Sequence, residues 1–201
     1  MAKVALSKSS LSQQSQKLKS YRQFLPSLDM KRKQLMGERA RALAERRALE
    51  AELKALRQRV AETLPMLANQ ELDLSQLVRI EHVELGRENR MGTWLPTLAR
   101  FETSVRPYGY LSKPHWIEPL VAALREAARL RIALMLGERR VALLDQAVRT
   151  VTQRVNLFDK VLIPRTRDNI KRIRIALSDA ERAAVVRSKI AKKKRAAEGL
   201  I

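Results

Sequence analysis

A chain of 201 residues that is 45% hydrophobic but only 4% aromatic is too apolar for a disordered protein, and its composition points to long helices rather than a large ring-packed core. It has no cysteine, which excludes a disulfide framework and thiolate metal sites. The net charge of +20 demands either acidic company or a well-solvated surface.

Met1 to Leu6 is followed by Ser and Gln rather than an apolar run, so no signal peptide is expected. No stretch of about 18 apolar residues exists to span a bilayer. Leu11, Leu18 and Leu25 are spaced by seven, so helix is expected on the N-terminal side. Pro26 removes a backbone donor and crowds the preceding turn, which predicts a kink or break there. Residues 28–64 read as one helix, with Leu28, Leu35, Ala42, Leu49, Leu53, Leu56, Val60 and Leu64 as its apolar stripe. Pro65 places its end nearby, because a residue before proline avoids the helical region.

Residues 65–118 differ in character. Val78 to Leu85 partly alternates, as a half-exposed strand does. Asn89-Arg90-Met91-Gly92 is a turn signal, with Asn89, Met91 and Gly92 at the bend and Gly92 supplying a positive φ. Trp94, Leu95, Leu98, Phe101 and Val105 are expected to pack on the strand, and Arg106 to Tyr110 forms a second turn or loop. A small mixed insert containing a β-hairpin is predicted.

From about Glu118 the helix resumes. Leu134, Gly137, Val141, Leu144, Val148, Val151, Val155, Phe158 and Leu162 recur three and four apart. This is a heptad seam, a narrow stripe that faces another helix. Gly137 either permits close backbone approach or is a flaw costing about 1 kcal/mol against Ala. Pro164 predicts a kinked continuation, with Ile170, Ile173 and Leu177 carrying the spacing onward. Ser178 to Glu181 suits the cap of a further short helix. Lys189 to Arg195 is expected to fray.

The predicted organisation is therefore 1–64, an N-terminal coiled-coil helix kinked near Pro26; 65–118, the insert; and 119–201, a C-terminal coiled-coil helix with a basic tail. The fold class is mainly α: a long antiparallel two-helix coiled coil with a small hairpin-containing insert. Leu35, Leu49 and Leu56 then face Leu134, Val141, Leu144, Val148, Val151, Val155, Phe158 and Leu162. Charge is uneven: residues 1–27 carry +5, residues 164–201 carry +8 and residues 65–118 carry −1.

Catalytic constellations are not expected. No phosphate loop or dinucleotide fingerprint occurs. His82 and His115 lack partners at ligand spacing. Glu45, Glu50 and Glu52 sit among Arg and Lys as helix-surface pairs. No cofactor or metal is predicted. Lys192, Lys193, Lys194 and Arg195 invite a nucleic-acid reading, but no recognition module or stacking aromatics accompany them.

Arg154-Val155-Asn156-Leu157-Phe158-Asp159-Lys160-Val161-Leu162-Ile163-Pro164-Arg165 resembles the R-V-N-A-L-E-x-V-x-I-P-R segment of the D subunit of V-type and A-type rotary ATPases. Arg154, Val155, Asn156, Ile163, Pro164 and Arg165 carry the likeness. Leu28 to Leu35, Val83-Glu84, Asn89 to Gly92, Asn169 to Ile173 and Asp179 to Lys189 resemble further parts of that family in the same order. Pro26 departs from it, because that region is usually continuous helix. The resemblance implies a non-catalytic central-stalk rotor subunit, peripheral on the cytoplasmic face of a membrane. Its implied partners are the catalytic A and B subunits, a small F subunit and a funnel-shaped subunit on the membrane ring, with no nucleic acid and no membrane insertion. Lys192 to Arg195 would then be a basic tip facing the catalytic hexamer. A basic coiled-coil adaptor for nucleic acid or ribosomes is the alternative; a regulatory enzyme subunit acting through the insert is a third.

Overall fold

The computed structural model describes residues 4–68, 77–107 and 115–197. The elements are α1 (Lys8–Thr63), a 3-10 turn (Pro65–Ala68), β1 (Val78–Arg90), β2 (Thr93–Val105), α2 (Ile117–Asn156), a π turn (Leu157–Leu162) and α3 (Ile163–Ala197). The fold is mainly α, with one two-stranded antiparallel hairpin among the described residues, between the helices.

Ser7 caps α1: its Oγ accepts the N–H of Ser10 at 3.2 Å, satisfying one free donor of the first turn. Pro26 does not break this helix, which is assigned without interruption from Lys8 to Thr63. Leu25 and Leu28 are half-buried on either side of it, and packing outweighs the one lost backbone bond. Ser27 Oγ donates to the Phe24 carbonyl at 2.9 Å.

The chain forms two compact units. One runs Arg32–Thr150; the other joins the residues up to Lys31 with those from Val151. In the Arg32–Thr150 unit the helices run antiparallel. Arg39 pairs with Asp145, Glu45 with Arg140 at 3.4 Å, and Gly137 lies over Arg46. Numbers rise on one helix as they fall on the other. Leu35, Ala42, Leu53 and Leu56 are buried from α1, and Leu134, Val141 and Leu144 from α2. A second cluster closes the helix ends, with Leu64, Leu77, Trp116, Ile117, Leu120 and Val121 packed together.

The hairpin springs from that cluster, where Val78 and Val105 pack half-buried. Arg90 pairs with Thr93 in its register, leaving Met91 and Gly92 as a two-residue loop. Their φ values are 52° and 79°, the two positive dihedrals that a twisted tight hairpin needs. Asn89 Oδ1 accepts the Gly92 N–H at 2.8 Å. At the tip, Arg90 meets Glu38 of α1 at 3.9 Å, so the ribbon lies back along the helices. Thirteen residues of strand rise about as far as some 25 residues of helix, which matches that span. Leu95 is the one buried residue among the described hairpin positions.

In the other unit the C-terminal helices bury Val151, Val155, Ile163, Thr166, Ile170 and Ile173. Ser10 is buried on α1, and Leu11, Leu18, Leu25 and Leu28 are half-buried. Tyr21 and Phe158 meet edge to face, centroids 5.4 Å apart. Lys8 Nζ lies 4.0 Å from Glu181, so this pair is antiparallel too. α3 does not restart at Ser178 and is helical to Ala197. Tyr108 to Tyr110 of the expected second loop lie outside the described residues.

Candidate functional site

Helix-to-helix contact is the chemistry this chain displays most fully, and its seam can be followed residue by residue. Leu35, Leu56, Leu134, Val141, Leu144, Val151 and Val155 are buried; Leu49, Val148, Phe158 and Leu162 are half-buried. Gly137 needs no special approach, since a Cβ there would sit 3.9 Å from the Arg46 side chain, an ordinary contact.

After Val155 the buried positions change phase. A strict heptad puts Leu162 and Asn169 inward. Ile163 and Ile170 are the buried residues instead, followed by Ile173 at 0% exposure. The seam has advanced by one residue, and the π turn at Leu157–Leu162 lies where it does so. There the Ile163 N–H donates to the Phe158 carbonyl, five residues back. Each such turn accommodates one residue more than an α turn, so the downstream helix keeps its face toward its partner. Pro164, which cannot donate and would crowd the preceding α turn, follows directly. Thr166, buried, closes the junction by donating its Oγ1 hydrogen to the Leu162 carbonyl at 2.6 Å. The segment Arg154 to Arg165 thus encloses the wide turn. Val155 and Ile163 anchor it inside, while Arg154, Asn156, Pro164 and Arg165 are exposed. The phase slip is visible in the bare spacing of Val155, Ile163 and Ile170, a signal that heptad counting through Leu162 passes over.

The grooves on the described surface were not foreseen from the sequence. In the unit containing the chain ends, a cleft of about 710 Å³ has Leu18, Ile170 and Ile175 as its apolar lining. Lys19, Arg22, Arg167, Lys171 and Arg174 line it. A second groove lies between the hairpin and α2, with a volume of about 640 Å³. Asn89, Met91 and Gly92 form the exposed hairpin tip. Lys192, Lys193, Lys194 and Arg195 are exposed on the last turns of α3, and every residue from Glu181 to Ala197 is exposed. Among the described residues no group of three His, Asp or Glu is placed to hold a metal, and no helix is long and apolar enough to cross a membrane.

The family model for the D subunit of ATP synthase matches residues 10–193. The chain is similar to a protein named as the D subunit of a V-type ATP synthase from Borreliella burgdorferi, 29% identical over 192 residues that cover 96% of this chain and 95% of that one. It is also similar to proteins of the same name from Chlamydia muridarum, 33% identical over 198 residues with 96% of each chain covered, and from Chlamydia trachomatis serovar L2, 31% identical over 198 residues with 96% of each covered.

Proposed function

The chain belongs to the family of ATP synthase D subunits, and from that premise we propose that it is the central rotor shaft of a V/A-type rotary ATPase. It transmits torque between the catalytic A/B ring and the membrane ring, coupling ATP hydrolysis or synthesis to the movement of protons or sodium ions. ATP chemistry resides on the A and B subunits. The F subunit binds the side of the shaft, a funnel-shaped subunit holds its lower end, and the assembly is peripheral on the cytoplasmic face.

The observation that carries this reading is the family match over residues 10–193 on a chain whose two ends pair antiparallel, Lys8 beside Glu181. A turning shaft has to meet several catalytic interfaces in succession without locking to any. Solvated Arg and Lys suit this, because exposed ion pairs are each worth about 1 kcal/mol or less and exchange readily. The basic, fully exposed α3 end offers such contacts, and the buried seam supplies the cohesion that torque requires.

Reconstitution tests the proposal. The purified chain mixed with the A and B subunits of its own complex is expected to enter their ring as a single copy, and with F to form a one-to-one pair. Several copies per ring, or a ring that excludes the chain, would contradict it.

A further inference from the structure

The shaft reading assigns no residue to the groove between the hairpin and α2. Its walls are Leu85, Trp94 and Pro96 from the ribbon and Leu136 and Leu143 from α2. Leu95, 1% exposed, seals its floor. Trp94 is 62% exposed and Leu85 is 55% exposed. An indole held open beside aliphatic walls is the kind of anchor on which protein partners close. Arg87 and Arg139 line the groove, and no carboxylate does. No ion pair involves either arginine among the described residues. Leu136 and Leu143 are seven residues apart, about two helical turns or roughly 10 Å. Gly86 lines the groove with backbone alone, and the other lining residues are Leu, Trp, Pro and Arg, an apolar surface of the kind into which an amphipathic helix lays its face.

We infer that this groove is the docking site for an amphipathic α-helix of a partner protein, one whose apolar stripe is flanked by Asp and Glu. The apolar stripe covers Trp94, Leu85 and Leu143, and the flanking carboxylates meet Arg87 and Arg139. Charge selects the partner's sign, and the uncovered indole supplies the contact area. The inference is independent of the rotary reading and stands or falls by its own test.

The probe is a lactam-stapled helical peptide of about 20 residues with a Leu stripe and Glu elsewhere, long enough to span the groove. A matched peptide carries Lys in place of Glu. Each is titrated into the full-length chain at physiological salt, and tryptophan emission and acrylamide quenching are read. The chain has two tryptophans, of which Trp116 is buried, so Trp94 is the responsive one. The Leu–Glu peptide is expected to shift the emission to the blue and protect it from quencher, and the Leu–Lys peptide to do neither. Arg87→Glu with Arg139→Glu is expected to weaken the Leu–Glu peptide at least about tenfold and to admit the Leu–Lys peptide. Lys171→Glu with Arg174→Glu, in the other groove, is expected to leave the response unchanged. Trp94→Ala, read by calorimetry, gives an independent measure, with weakening of about tenfold or more expected. The inference is overturned by no response to the Leu–Glu peptide, by an equal response to both peptides, or by a response that survives the double charge reversal. Self-association of the chain with Trp94 protected would assign the groove to a second copy and overturn it equally.

Discussion

Deleting a single residue separates the two ways of reading the seam near Pro164. If the π turn absorbs one surplus residue, removing Val161 turns the spacing from Val155 to Ile163 into an ordinary heptad step. Val161 is itself exposed, so its loss forfeits little packing. Without the wide turn, Pro164 would sit in a regular α-helix at a cost of about 3 kcal/mol, so the deletion is paired with Pro164→Ala. Ile163, Thr166, Ile170 and Ile173 then stay inward. Deleting exposed Asp168 has no wide turn to absorb it. It rotates the following helix by about 100° and carries Ile170 and Ile173 out of the seam. At about 1.5–3 kcal/mol for each buried aliphatic side chain, that costs about 3–6 kcal/mol, a fall in Tm on the order of 10 °C. Thermal unfolding of the purified chain followed by circular dichroism reads both. The account predicts a near-normal transition for the first variant and a large loss for the second. Equal losses in the two would refute the register argument.

Other perturbations probe the remaining parts. Leu95→Ala removes the hairpin's one buried anchor and is expected to cost about 2–4 kcal/mol, with amide exchange over 78–105 accelerating while the helices stay protected. Met91→Gly relieves a non-glycine residue at φ 52° and should stabilise the hairpin by about 0.5–1 kcal/mol, seen as slower exchange in the same strands. Gly137→Ala should raise stability by about 1 kcal/mol in a urea titration, because the added methyl finds ordinary contacts; a loss would mean the helices need the closer approach. Asp145→Ala breaks a half-exposed pair with Arg39 and should cost about 1 kcal/mol or less in the same assay.

Much of this architecture is legible in the sequence because heptads encode both helices and the turn residues encode the hairpin. Asn89 and Gly92 announce the bend through chemistry that few other residues share. Met91 gives no such signal, and only the register imposes its positive φ. Pro26 does not end α1, because the packing of Leu25 and Leu28 belongs to the tertiary structure, which the local rule against proline leaves out. The π turn hides in plain spacing: Leu162 satisfies the heptad, so the better phase of Ile163 and Ile170 goes unnoticed. The groove beside Trp94 has no sequence signature at all. It arises because a ribbon held by Leu95 and Arg90 lies back along α2, a placement that alternation within the strands does not specify.

The central claim, that this chain turns, can be observed directly. The sequence has no cysteine, so Glu84→Cys on the exposed hairpin offers a single attachment point for a gold bead. With the A/B ring fixed to a surface and the labelled chain assembled within it, the account predicts one-directional turning of the bead that begins with ATP and stops without it. A bead that stays in place while the ring hydrolyses ATP would contradict the account.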